Sequence, residues 1–250
     1  MHTILLFLFR MLIFYTGLTS ALFSLSNLGY QPASFYARCL TSYAALLLCA
    51  SYGVVVSILL RLVGRHRLAQ YLVARAFKYA MLVATGVRFE IVEGEQYLST
   101  RPCVIIGNHQ SELDVLVLGT VFPPYCSVTA KSSLKKIPFL GWYMALSGTV
   151  FIDRGDKVGA IKAFEGAAEE MNRHRQCVFI FPEGTRSYAR GPELGAFKKG
   201  AFHLAVKAGV DIVPVVCGNY SGVLDIGQRR FRGGRIPLKS TYQTWSIGAM

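Results

Sequence analysis

The sequence predicts an α/β fold, a mostly parallel sheet flanked by helices, preceded by N-terminal membrane helices. Three observations predict it. Two long apolar runs open the chain, at Thr3–Leu25 and Leu40–Leu60. Short, wholly apolar runs recur further on, as strands covered on both faces require. Between these runs lie segments whose apolar residues repeat at three and four, the period of a helix. Residues 1–66 are therefore expected to anchor the chain to a membrane, as one or two spans or as a hairpin, and residues 67–250 to form the α/β domain.

Composition sets the same bounds. Of 250 residues, 52% are hydrophobic and 16% charged, against about 25% charged in an ordinary soluble domain. The formal net charge is +13, which suits nucleic acid, an anionic membrane surface or a phosphorylated substrate. The apolar excess favours the last two. Cys39, Cys49, Cys103, Cys126, Cys177 and Cys217 include no C-x-x-C pair, so they form neither a disulfide framework nor a zinc site and read as buried thiols facing a reducing compartment.

Leu40–Leu60 carries no charge and is long enough to cross a bilayer. The first run contains Arg10, which would have to snorkel or find a partner. It has two readings, a retained anchor and a cleavable signal peptide. The lack of a basic segment before it favours the anchor. Arg61, Arg65, Arg67, Arg75 and Lys78 follow the second run and put that flank on the cytosolic side. Two spans joined by a lumenal turn, or a shallow hairpin in one leaflet, fit the same charge pattern. Leu68–Thr85, ending at Gly86, reads either as an interfacial amphipathic helix or as an ordinary packing helix.

In the second part, Val87–Ile91 alternates apolar and charged residues, as a half-exposed strand does. Cys103–Ile106, Thr149–Ile152, Cys177–Phe181 and Ile212–Val216 are the covered strands. Val158, Ile161, Phe164, Ala168 and Met171 mark a helix opening after Asp156 as N-cap. Strands alternating with helices imply right-handed crossovers and a site beyond the carboxyl ends of the strands. The polar motifs follow predicted strands.

The first motif is Asn108-His109-Gln110-Ser111-Glu112-Leu113-Asp114. On a continuous helix His109 and Asp114 would point about 140° apart. Their contact therefore requires a loop-to-helix corner, with Ser111 as N-cap. There the carboxylate selects the imidazole tautomer and supports the imidazolium formed when His109 takes a proton from a hydroxyl. The second motif is Phe181-Pro182-Glu183-Gly184-Thr185-Arg186-Ser187. Gly184 admits backbone close to a ligand, Arg186 offers a fork suited to phosphate, and Glu183 either orients Arg186 or binds a hydroxyl. The third is Phe151-Ile152-Asp153-Arg154, with Arg154 a second phosphate candidate positioned by Asp153. Lys131–Tyr143 mixes basic and aromatic residues, as a membrane interface or an amphipathic helix would.

These blocks, with Ile212-Val213-Pro214-Val215 as a fourth, resemble the glycerophospholipid acyltransferase family, most closely its 1-acyl-sn-glycerol-3-phosphate acyltransferases. They occur in the family's order between about residues 85 and 220. The resemblance implies His109 as general base and Asp114 as its partner. It implies Arg154, Glu183, Gly184, Thr185, Arg186 and Lys131 as the residues that hold a glycerol phosphate. It implies acyl-CoA as co-substrate, or acyl-carrier protein in bacteria, with no cofactor or metal. The remaining partners are lysophosphatidic acid and a phospholipid membrane, with no nucleic acid, and the oligomeric state is left open. The setting is the endoplasmic reticulum with the catalytic domain facing the cytosol, or the inner membrane in a bacterium.

No Gly-x-Ser-x-Gly elbow is present, so a serine acyl-enzyme is not indicated and transfer is direct. Backbone amides near Ser111 are the candidates for holding the oxyanion. His66, His174 and His203 stand without metal-ligand spacing. Arg229, Arg230, Arg232 and Arg235 lack the aromatic platform of an RNA-binding surface. Two rival functions remain: acylation of glycerol-3-phosphate or another lysophospholipid, and an inactive lipid-binding anchor protein. Ile236–Lys239 reads as the start of a further strand. Ser240–Met250 shows no pattern, which leads to the expectation of a C-terminally shortened domain with a weakened sheet edge.

Overall fold

The computed structural model describes residues 2–153 and 155–241. Helices α1 (His2–Asn27) and α2 (Gln31–Leu62) pack together as an antiparallel hairpin. Gly29, at φ +98°, turns the chain between them, and Pro32 opens α2. The exposed side of α1 is a sheet of Ile, Leu and Phe side chains, an apolar surface far larger than soluble proteins leave uncovered. Both helices are long and apolar enough to cross a membrane. They make the chain a membrane-associated one.

The second helix is not free-standing. Ala33, Ala37, Thr41, Ala45, Cys49, Gly53 and Ser57 repeat every fourth residue along it. All of these except Thr41 are buried, and such small-residue rows let a helix approach its neighbour closely. A Cβ on Gly53 would stand 2.6 Å from the Tyr143 ring. At the other end of the row Ser34 Oγ donates to Phe231 O (3.1 Å), Arg38 Nε to Thr85 O (3.1 Å) and Thr41 Oγ1 to Ala84 O (3.0 Å). The helix thus lies against the α/β domain over most of its length.

The domain follows the expected alternation. Its sheet contains β1 (Val87–Glu93), β2 (Cys103–Gly107), β3 (Cys126–Lys131), β4 (Val150–Ile152), β5 (Cys177–Ile180), β6 (Asp211–Cys217) and β9 (Gly234–Ser240), in the order β1-β9-β6-β2-β5-β3-β4. A separate two-stranded ribbon is formed by β7 (Leu224–Asp225) and β8 (Arg230–Phe231). Every neighbouring pair in the main sheet is parallel except β6 and β9. The strand begun by Ile236–Lys239 is therefore an inner strand, hydrogen-bonded on both sides. The lack of pattern expected beyond it falls, from residue 242 on, outside the described residues.

Among the described residues four helices cover the sheet, α3 (Ala69–Thr85), α4 (Val115–Val121), α6 (Lys157–His174) and α7 (Gly200–Ala208), while α5 (Leu140–Leu146) packs on α2. Ile105, Phe179 and Val213 point to the face packed by α3 and α4, while Val104, Ile106, Val178, Ile180 and Ile212 point to the face packed by α6 and α7. Burial on both faces is why β2 and β5 read as unbroken apolar runs.

Between the two readings of Leu68–Thr85 the structure selects a packing helix: α3 lies on α2, α4 and β1, and Gly86 caps it in the left-handed region. Two residues of the basic flank have structural partners. Arg75 donates to the carbonyls of Gly119 (2.9 Å) and Phe122 (3.3 Å) at the end of α4, and Arg67 pairs with Glu170 at 2.7 Å.

Candidate active site

The site forms where β2 ends. Asn108 continues the ladder with its side chain: Oδ1 accepts from Cys217 N (2.8 Å) and Nδ2 donates to Cys217 O (3.0 Å). An amide mimics a strand residue here, pinning the exit of β2 to the exit of β6. Gln110 strengthens the same seam, donating to the carbonyls of Cys217 (3.2 Å) and Gly218 (3.1 Å).

The chain then turns sharply. Ser111 Oγ accepts from Leu113 N at 3.2 Å, and Asp114 reaches back to accept from Ser111 N at 3.0 Å, a capping box around one short turn, Glu112–Asp114, that leads into α4. The same carboxylate oxygen accepts from Gln110 N (2.5 Å) and lies 2.7 Å from His109 Nδ1. Five residues of spacing are thus closed by a corner.

Asp114 is wholly buried and His109 is one-fifth exposed. A carboxylate only accepts, so the contact places the ring proton on Nδ1 and leaves the Nε2 lone pair free. Phe181 stacks on the imidazole, with centroids 4.2 Å apart and planes 16° from parallel. Tyr220, outside all four motifs, sends its hydroxyl to Asp114 Oδ1 at 2.6 Å and lies 2.8 Å from Ser111 Oγ. Burial, with the charge of Asp114 beside it, pushes the Tyr220 phenol up and keeps it protonated. Burial likewise pushes the Cys217 thiol up, which removes it as a nucleophile.

One sequence-based assignment narrows and one changes. Three of the amides near Ser111 are engaged within the corner: Gln110 N and Ser111 N donate to Asp114, and Leu113 N to Ser111 Oγ. Glu183 does not orient Arg186. It is buried, and its two oxygens accept from His109 N (2.7 Å) and Gly195 N (2.8 Å). It thus ties the loop after β5 to the loop after β2. Asp153, expected to position Arg154, accepts from Gly155 N at 3.0 Å. Arg154 itself lies outside the described residues.

Arg186 pairs with Glu112, which also accepts from the Tyr188 hydroxyl at 2.6 Å. The second motif thereby leans on the first. Backbone bonds reinforce this, from Ser187 N to His109 O (2.9 Å) and from Tyr188 N to Gln110 O (3.0 Å). Gly184 sits at φ +66° with the Lys198 side chain lying over it. Its left-handed backbone is open to glycine at little cost. Thr185 and Lys131 are exposed.

The strand order sets out the rim: His109 after β2, the Phe181–Ser187 loop after β5, Lys131 at the end of β3 and Asp153 after β4. Neighbouring strands lie about 4.8 Å apart, so His109 and Lys131 are separated by about 10 Å of sheet edge. The sequence signal for Tyr220 is weak. It is one tyrosine in a Gly- and Ser-containing loop, and its partner is 106 residues away.

The acyltransferase family model matches residues 90–218. The 1-acyl-sn-glycerol-3-phosphate acyltransferase of Saccharomyces cerevisiae is 46% identical over 187 residues, covering 75% of this chain and 61% of that protein. The human 1-acyl-sn-glycerol-3-phosphate acyltransferase beta is 37% identical over 214 residues, covering 84% of this chain and 74% of that protein. The chain therefore spans about three-fifths of the length of its yeast relative. The fold is that of a solved 1-acyl-sn-glycerophosphate acyltransferase from Thermotoga maritima, with a TM-score of 0.66 at 22% identity over 86% of this chain and 88% of that one. With its motif blocks lying inside the matched segment and its fold shared, the chain belongs to the acyltransferase family.

Proposed function

We propose that the protein moves a fatty acyl group from acyl-CoA to the 2-hydroxyl of 1-acyl-glycerol-3-phosphate, giving phosphatidic acid. The observation that carries this reading is the 2.7 Å contact from His109 Nδ1 to a buried Asp114, which leaves Nε2 as a free base at the strand-end rim. The yeast and human relatives bear the name of this activity.

In the proposed reaction His109 Nε2 takes the hydroxyl proton as the acceptor oxygen attacks the thioester carbon. The new C–O bond forms, the C–S bond breaks, and the imidazolium returns its proton to the departing CoA thiolate. Asp114 supports the imidazolium through Nδ1–H. Arg186, Lys131 and Arg154 supply the positive charge for the acceptor's phosphate, beside Thr185 and Gly184. Glu183 serves this site by holding the two loops together. Holding acceptor and thioester in register contributes rate through orientation.

The anchor is best read as a shallow hairpin of residues 1–66 in one leaflet, with residues 67–250 as the catalytic domain. The row from Ala33 to Ser57 lies against that domain. A full crossing by α2 would carry the domain's polar surface into hydrocarbon, at a cost of several kcal/mol for each unsatisfied group. The site would then open toward the cytosolic leaflet of the endoplasmic reticulum.

Release of CoA thiol from oleoyl-CoA, with and without lysophosphatidic acid, tests the reading on protein in membranes. Thiol release that requires lysophosphatidic acid supports it. Equal release with glycerol-3-phosphate would reassign the acceptor, and no release with either would leave a lipid-binding anchor protein.

A further inference from the structure

Tyr220 is 3% exposed and lies beyond the last motif block. Its ring stands edge-on to Phe89, with centroids 5.8 Å apart at 87°. Its backbone is held as well: Tyr220 N donates to Gln110 Oε1 (3.3 Å), and Tyr220 O accepts from Val223 N (2.8 Å). The side chain is therefore fixed before any question of chemistry arises.

Its hydroxyl has one proton and two neighbours, Asp114 Oδ1 at 2.6 Å and Ser111 Oγ at 2.8 Å. The carboxylate oxygen accepts only, so the phenol proton goes there and Ser111 donates to the phenol oxygen. Ser111 Oγ in turn accepts from Leu113 N. Every donor and acceptor in this chain is satisfied in one arrangement. Asp114 Oδ2 takes the imidazole and two amides, while the donor to Oδ1 among the described residues is Tyr220.

We infer that Tyr220 is a positioning residue: its hydroxyl holds the Asp114 carboxylate charged and turned so that Oδ2 meets His109 Nδ1. The inference rests on the acyl-transfer reading above, in which His109 is the base. Removing the donor leaves a buried carboxylate oxygen unpaired, which disfavours the anion. The pair then binds a proton more readily, and the pH below which activity is lost moves upward. Other groups facing the pair are Glu183 at the His109 amide, Cys217 from β6, and Tyr188 with the Glu112–Arg186 pair from the outer side. All of these groups are retained when the Tyr220 hydroxyl alone is removed.

The test is Tyr220→Phe, which keeps the ring, with Phe89→Leu as a variant that loosens the same pocket but leaves the hydroxyl. Two readouts are used: kcat against pH, and titration of the His109 ring followed by NMR in micelles. In Tyr220→Phe, kcat is expected to fall about tenfold with both KM values unchanged, and the ring to titrate about one unit higher. In Phe89→Leu the melting temperature falls and the titration stays in place. A Tyr220→Phe protein whose His109 titrates as in the wild type would overturn the inference, as would a tenfold loss matched by an equal loss of folded protein. Absence of thiol release in the wild type would remove the acyl-transfer reading, and the ring titration would still decide the role of Tyr220.

Discussion

The corner that holds His109 and the loop that holds Arg186 are hydrogen-bonded to each other, yet they are built in opposite ways. Asp114 is inaccessible and takes donors on both oxygens. Arg186 is two-fifths exposed and pairs with a Glu112 that is nearly half exposed. A buried charge must be satisfied in one geometry or it costs several kcal/mol. A surface ion pair contributes about 1 kcal/mol or less and can be exchanged for another partner. The corner is suited to proton transfer, which needs a fixed base. The loop is suited to an arriving phosphate, which needs a cation that can change partners.

This contrast predicts effects of graded size. His109→Ala should lower kcat by about three orders of magnitude, the range of a general base, while far-ultraviolet circular dichroism and vesicle flotation match the wild type. Retention of more than a few per cent of activity would remove the base from the corner. Asp114→Asn should cost about 100-fold in kcat and also lower the melting temperature, because a neutral amide replaces a buried charge that four donors were built around. If it changed activity without touching stability, the corner would be less rigid than its hydrogen bonds imply.

Arg186→Ala should act on binding, raising the acceptor KM about tenfold with kcat little changed, a loss of about 1.4 kcal/mol. An unchanged KM would count against a phosphate role for the loop. Smallest of all, Glu112→Gln should shift stability by less than about 1 kcal/mol and lower the acceptor KM slightly, since Arg186 would no longer leave a carboxylate to meet phosphate. A large fall in kcat with this variant would mean that the ion pair braces the corner and that the two regions are one rigid unit.

Much of this was legible locally. Covered strands read as apolar runs because both faces of the sheet are packed, as Val104 and Ile105 show by pointing to opposite clusters. Ser111 and Asp156 read as N-caps because the capping bond joins residues two or three apart. The requirement that His109 and Asp114 meet at a corner followed from helix geometry alone. The small-residue row of α2 lies in the sequence at a strict period of four, but residues this apolar suit lipid as well as a packed helix, so the pattern alone does not name its neighbour.

By itself the sequence determined the elements, their order and the strand ends at which each reactive side chain sits, because periodicity, caps and turn residues act within a few positions. Only the tertiary structure decided which of those ends share hydrogen bonds. Glu183 serves His109 rather than Arg186 across 74 residues, and Tyr220 completes Asp114 across 106. It also set β9 inside the sheet, antiparallel to β6. Those outcomes depend on the satisfaction of buried polar groups over the whole packed domain, a condition that no short stretch of sequence contains.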